Sequence, residues 1–303
     1  MLSQKQVIQA KIEAEKGTAE SMGFTDILCY EPKIDDTSPF DKRPAPGQFL
    51  GPAVAGVILE KTGVFTGGVE LRGNASGGCD AGLAILLQCC GLAKTDEVYQ
   101  VTSTEANHKT CTMFGFIDGM EKLIYGVMGN VTFEGEVGKK IMCNYDMPGI
   151  WSPPTDVDLP TPSYGTAKPL IFAGGTFKIA TVAKKISKFT LNMGNIVILR
   201  SDANAAGGIA HAMITNFEPI FSCDLESELV ATDDHYGKKL AGTEVSIEIM
   251  AKSATDKATF AIPKFQYTGI GQGDREGQAT FDITGQCNKD SGDDNVSITF
   301  AAA

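Results

Sequence analysis

VFTGGVELRGNASGGCDAGLAILLQCCGL, residues 64–92, is the stretch on which the fold turns. It runs from a strand through a glycine-rich turn into one short apolar helix. Leu83, Leu86, Leu87 and Cys90 recur at i, i+3, i+4 and i+7, one face of a helix. Asp80 stands where an N-cap carboxylate accepts the first free amides, and Gly91 where a helix ends. Nearly everything downstream alternates with period two. One helix in such a β chain plugs an open end or flank of a sheet layer.

Upstream, residues 6–16 (QVIQAKIEAEK) read as a short helix with a thin apolar face, and residues 24–30 (FTDILCY) as a strand. Residues 31–49 (EPKIDDTSPFDKRPAPGQF) hold four prolines and many charges, and read as a long loop without a core of its own. Such a segment is either an interaction arm or a surface insertion. Strands at 54–60 and 63–72 lead to the helix, and residues 95–108 read as a polar connection. Four strands follow at 110–117, 121–128, 130–135 and 139–145, with Asp118-Gly119 as a hairpin turn. Residues 151–169 (WSPPTDVDLPTPSYGTAKP) hold five prolines and read as an extended linker.

The second half starts again with strands at 170–172, 177–182, 188–200 and 209–217, the third broken around Met193-Gly194-Asn195. Residues 232–240 (TDDHYGKKL) read as a short helix capped by Thr232 and ended by Gly242, with His235 on its surface. Strands at 245–251, 258–264, 265–270 and 278–284 follow, and NVSITF (295–300) reads as a final edge strand.

The expected fold is therefore mainly β, with one short helix in each half. The halves share an order: strands, a loop, more strands, a helix ending in glycine, then two hairpins. This divides the chain into a first domain (1–155), a proline-rich linker (156–169) and a second domain (170–303). Val131 and Phe133 alternate with Thr132 and Glu134; Ala279, Phe281 and Ile283 alternate with Thr280 and Asp282. Each sheet then has one buried face and one polar, acid-bearing face.

The net charge of −11 splits into −6 for residues 1–155 and −5 for residues 156–303. Neither half offers a basic face to grip phosphates, which argues against specific nucleic-acid binding. There is no apolar run of about 18 residues, the length needed to span a membrane. The N-terminal MLSQKQVIQAKIEAEKGT lacks the apolar segment of a secretory signal. The eight cysteines include no CxxC pair and read as buried, reduced thiols.

Four segments, in this order, resemble the major tail tube proteins of long, non-contractile-tailed bacteriophages. They are KIEAEKGT, GVELRGNASGGCDAGLAILLQCCGL, MFGFIDGMEKLIYGVMGNVTFEGEVGKKIMCNYDMPGIW and LNMGNIVILRSDANAAGGIAHAMITNFEPIFS. The resemblance implies two tandem tail-tube-type β-sandwich or barrel domains, each flanked by a helix. In that family six domains form a ring, and rings stack into a hollow tube around the DNA channel. A duplicated chain would form trimers with pseudo-hexameric symmetry. The implied partners are further copies of the chain, tape measure, tail-tip and tail-terminator proteins, and DNA in transit, with no membrane and no cofactor. The implied location is the virion tail, assembled in the host bacterial cytoplasm.

On this reading Glu134, Glu136, Glu248 and Asp282 are candidate lumen acids, which would repel DNA phosphates. For each of them, simple solvent exposure is the alternative. Asp35, Asp36, Asp41, Lys42 and Arg43 in the proline-rich arm are candidate ring-stacking residues. No catalytic or metal-binding constellation is expected. Gly269-x-Gly271-x-Gly273 precedes no helix that could present amides to a phosphate, and reads as a hairpin turn. His108, His211 and His235 lack metal-ligand spacing. Cys90 lies on the apolar helix face, where a thiol packs and does not react. The acidic DSGDD (290–294) lacks the full spacing of a calcium loop. The competing readings are a monomeric ligand- or carbohydrate-binding β-sandwich module of a phage particle and, more remotely, a thiol hydrolase.

Overall fold

The computed structural model describes residues 2, 4–44, 52–205 and 207–303. Its centre is one antiparallel sheet of eight strands. In spatial order they are Cys29–Asp36, Thr62–Glu70, Met142–Asp156, Asn130–Glu136, Ile186–Asn192, Ile220–Glu226, Gln278–Asn288 and the second part of Asp256–Arg275. Alternation sets its faces. Phe65, Val69, Val131, Phe133, Cys143, Tyr145, Leu191, Phe221 and Ile283 point into the core and are buried. The residues between them carry the polar face.

Two smaller sheets cover the apolar face. In the first half, Gln6–Ile12 pairs with Thr25–Ile27 and Cys111–Ile117, and the latter with Met120–Val127. In the second half, Ile171–Ile179 pairs with Val182–Ala183 and Glu244–Lys252, and the latter with the first part of Asp256–Arg275. Ser297–Ala302 continues this sheet to the hairpin Leu92–Thr95/Val98–Val101. Phenylalanines lock the layers together. The Phe133 and Phe260 rings lie 5.2 Å apart, and the Phe221 and Phe265 rings 5.8 Å apart, both edge to face.

The same succession of pairings therefore occurs twice. In each half a long strand of the central sheet (Cys29–Asp36, Ile186–Asn192) is followed by a separate two-stranded hairpin. These are Phe40–Pro44/Pro52–Ile58 and Asn195–Ser201/Ile209–Phe217. A second central strand comes next, then a helix: α1 (Ala81–Cys89) or α2 (His235–Ala241). Each helix is followed by a glycine with positive φ, Gly91 (79°) or Gly242 (65°). The halves are nonetheless continuous. Strand Asn130–Glu136 pairs with Ile186–Asn192 over five residue pairs, and one apolar cluster runs from Ile8 to Phe300.

Several sequence expectations are corrected. Residues 6–12 are a strand, because pairing on both sides buries Val7, Ile8 and Ala10 and overrides the helix propensity of Lys, Glu and Ala. The proline-rich arm is strand over Cys29–Asp36 and Phe40–Pro44, joined by residues 37–39; residues 45–49 lie outside the described residues. Residues 95–108 contain half of a hairpin and a 3-10 turn. Trp151 to Asp156, assigned to the linker, finish a 15-residue strand. Ile220–Glu226 is a strand that the alternation of Phe221, Cys223 and Leu225 already encoded. Gly269, Gly271 and Gly273 lie within Asp256–Arg275, and the turn comes later, at Glu276-Gly277. Ser297–Ala302 is paired on both sides, so it is not an edge. α2 is capped by Asp234, not Thr232, and His235 is buried. No helix among the described residues is long and apolar enough to cross a membrane.

Candidate functional site

The eight-stranded sheet presents one broad polar face and two open edges. On the face, register places Glu134 beside Met142 and Thr190, Glu136 beside Lys188, and Thr132 beside Asn144 and Asn192. Further along, Asp282 faces Asp224, and Thr284 faces Ser222. Three of the four acids named from sequence, Glu134, Glu136 and Asp282, are thus on one face and exposed. Glu136 also meets Lys139 at 2.7 Å. Glu248 is elsewhere. It lies on Glu244–Lys252 in the covering sheet, half-buried and 2.7 Å from Lys178. Alternation alone could not tell which sheet a strand would join.

The first edge is Cys29–Asp36. Among the described residues its one strand partner is Thr62–Glu70. The Ile34 carbonyl points away from that partner and accepts a hydrogen bond from Lys122 Nζ at 2.8 Å. The Thr37 amide points the other way, to the Thr62 carbonyl. Even-numbered positions here thus direct their backbone outward. The second edge is Tyr267–Arg275, paired only with Gln278–Asn288. Asp35 and Asp36 belong to the first edge strand. Asp41, Lys42 and Arg43 are exposed on the hairpin that follows it.

The junction between the halves matches these two edges. Asn130–Glu136 occupies the place that Tyr267–Arg275 holds in the second half, since each ends at a tight turn with a positive-φ glycine (Gly138, Gly277). Ile186–Asn192 occupies the place of Cys29–Asp36. Both carry a register shift, between Ile186 and Phe189 and between Tyr30 and Lys33. The junction is reinforced by side chains. Asn130 Nδ2 donates to Asn192 Oδ1 (2.8 Å), and Asn195 Nδ2 donates to the carbonyls of Cys90 and Gly129 (2.8 and 2.9 Å).

Buried charges that the sequence reading missed hold this frame. Asp224 accepts from the Ser187 and Lys188 amides and from the Ser187 hydroxyl, and pairs with Arg275 at 2.8 Å. Burial would push its carboxyl up; the Ser187 and Lys188 hydrogen bonds and Arg275 outweigh this and hold it below the usual range. Glu13 accepts from the Thr110 and Thr112 hydroxyls and the Gly17 and Gly126 amides. Asp256, fully buried, accepts from the amides of Ala75 and Gly77. The glycine-rich turn before α1 therefore does cradle an anion, but the anion is a carboxylate of the chain's own second half.

Glu228, Asp233 and His235 converge, their ligand atoms within 4.8 Å of one another. Lys184 already supplies the cation, with Nζ 2.5 Å from Glu228 and 2.9 Å from Asp233. Asp294 accepts from the amides of Asp290 and Ser291, so the DSGDD segment is a hydrogen-bonded turn. Seven cysteines are buried, and burial pushes the Cys90 thiol well up, against nucleophilic use. No protein-family model matches the chain, and no curated protein matches it in sequence.

Proposed function

We propose that the chain is a tube-wall subunit of a phage tail. Copies join edge to edge into a ring, the polar sheet face lines a channel, and rings stack into a hollow tube for DNA. One observation carries this reading. The strand junction inside the chain joins the counterparts of the two edges that the chain leaves open. Repeating that junction between chains, Tyr267–Arg275 of one against Cys29–Asp36 of the next, extends the sheet by the rule that built it. A head-to-tail contact of this kind gives a ring or a filament. Closing the ring removes both open edges, which otherwise invite aggregation.

Three chains would supply the six repeats that the family resemblance implies, with a net charge of −33, three times that of one chain. Glu134, Glu136 and Asp282 would face the channel and keep DNA from sticking. Tape measure, tail-tip and tail-terminator proteins are the partners this role requires.

The test is Asp36→Pro. Asp36 is exposed, and its amide follows the outward direction of Ile34, so proline removes a donor from the open edge; inside the chain it removes the exposed Asp36 carboxylate that accepts from the Ser38 amide. The wild-type protein should form rings or tubes in negative-stain images, and the variant should remain a folded single chain. A wild type that stays monomeric at high concentration would overturn the proposal, as would normal rings from the variant.

A further inference from the structure

The two hairpins differ in their surroundings. Asn195–Ser201/Ile209–Phe217 lies against the first half. Its Ala212 and Ile214 are buried with Met128, and Ile214 reaches the Gly91 turn that ends α1. His211 sits over Gly126. Among the described residues, the counterpart, Phe40–Pro44/Pro52–Ile58, has no apolar side chain buried against the rest of the chain. Phe40 is 59% exposed and Ile58 54%, directly paired to each other, and Val54 and Leu59 are exposed as well. Phe40 and Gly56 share a face, since a Cβ on Gly56 would strike the Phe40 ring.

The surface matching the occupied seat lies in the second half, and it is empty. Gly242 replaces Gly91 at the helix end, Thr268 lies just past the place of Met128, and Glu218 and Pro219 replace Glu60 and Lys61. Glu218, Pro219 and Thr268 border a groove of about 500 Å³ that is also lined by Ile220, Gln286 and Asn288. Gly242 lies next to it, its carbonyl accepting from Gln266 Nε2, and Gln266 Oε1 accepting from Gln286. Leu240, beside Gly242, is 89% exposed, and Ile220 is 47% exposed.

From this repeated geometry we propose that the paired strands Phe40–Pro44 and Pro52–Ile58 of one copy dock into this groove on the next copy of the chain. The inference rests on the edge-to-edge ring reading. Only three residues, 37–39, separate Cys29–Asp36 from the hairpin, and two separate Ile186–Asn192 from its counterpart. An edge strand paired across the ring therefore delivers its hairpin to the neighbouring groove, as the internal junction does. The contact is lateral, within a ring, and buries on a second copy the apolar side chains that one chain leaves bare.

The experiment compares ring formation by the wild-type full chain, Phe40→Glu/Ile58→Glu, and Ile220→Glu. All three side chains are exposed, so thermal unfolding of the single chain should be unchanged. Each variant should raise the concentration for half-assembly by at least about tenfold, the equivalent of about 1.4 kcal/mol. In wild-type rings, amides of Val54–Ile58 and Gln286–Asn288 should gain protection from hydrogen exchange. If the wild type forms rings and the hairpin variants form them equally well, the docking proposal falls while the ring reading stands. Rings that form normally but no longer stack would assign the hairpin to contacts between rings and also overturn it. A wild type without rings would sink both.

Discussion

α1 buries Leu83, Leu86 and Leu87 completely, whereas α2 buries only His235 and leaves Leu240 almost bare. The helices hold matching places in the chain, so local sequence is only part of the difference. The entry to α1 is held by the second half, through Asp256, and its exit is capped by the second-half hairpin, through Asn195 and Ile214. The entry to α2 is held by its own half, through Lys184, Asp233 and Asp234. Among the described residues, the helix of the first repeat is thus flanked by the other repeat, and the helix of the second is not. On the ring reading proposed above, the bare surface around α2 is where the next copy would sit.

The largest expected effect that separates the two helices comes from Asp256→Ala. It strands two amides of the α1 entry loop in the interior, at about 1–3 kcal/mol each. We expect a loss of about 3 kcal/mol in chemical denaturation. Asp234→Ala removes only a helix cap from α2, accepting from Gly237, and should cost about 1 kcal/mol. Equal losses would break the comparison, because they would mean that α1 does not depend on the second half.

α1 was legible in sequence because each of its signals is local: Leu83, Leu86, Leu87 and Cys90 at i, i+3, i+4 and i+7, the Asp80 cap and Gly91. The turns at Asp118-Gly119 and around Gly194 were legible for the same reason, since positive φ has a chemical signature. The strand at residues 6–12 was not, because its conformation comes from two partners distant in sequence. The strands expected at 258–264 and 265–270 are one, Asp256–Arg275, and its Pro263 sits where the register with Glu244–Lys252 shifts, a place that tolerates proline. The candidate site divides in the same way. The polar alternation around Glu134 and Asp282 was readable; the placement of Glu248 on another sheet and the buried Asp224–Arg275 pair depend on which strands meet.

A smaller effect sharpens the contrast between the helices through pH. His235 is enclosed by Tyr267, Asp233, Glu228, Lys184 and Lys238. Burial lowers its pKa; Asp233 pulls the other way without restoring it. A depressed histidine pKa means the unfolded chain takes up the proton first. Stability from neutral His235 is therefore full above the ordinary histidine range and is lost as pH falls through the folded pKa. Between pH 7 and pH 5, the protection of the α2 amides from exchange, corrected for the slower intrinsic rate at low pH, should fall several-fold, and that of the α1 amides should not. Parallel behaviour of the two helices would show that His235 is not what secures α2.

The least effect on stability, and the sharpest on function, is expected from the charges of the polar face. Glu134→Lys and Asp282→Lys alter exposed side chains, so stability should stay within about 0.5 kcal/mol. If both acids line a channel, assembled particles of each single variant should retain DNA in low salt and release it as salt rises, because the new contacts are to phosphates. Glu248→Lys makes the same change of charge on the covering sheet, away from the proposed lumen. It should leave DNA retention at the wild-type level. The pair of experiments therefore tests a position and not a net charge. Equal retention by all three variants would show that DNA meets the outer surface, and the polar sheet face would lose its claim to be the lining.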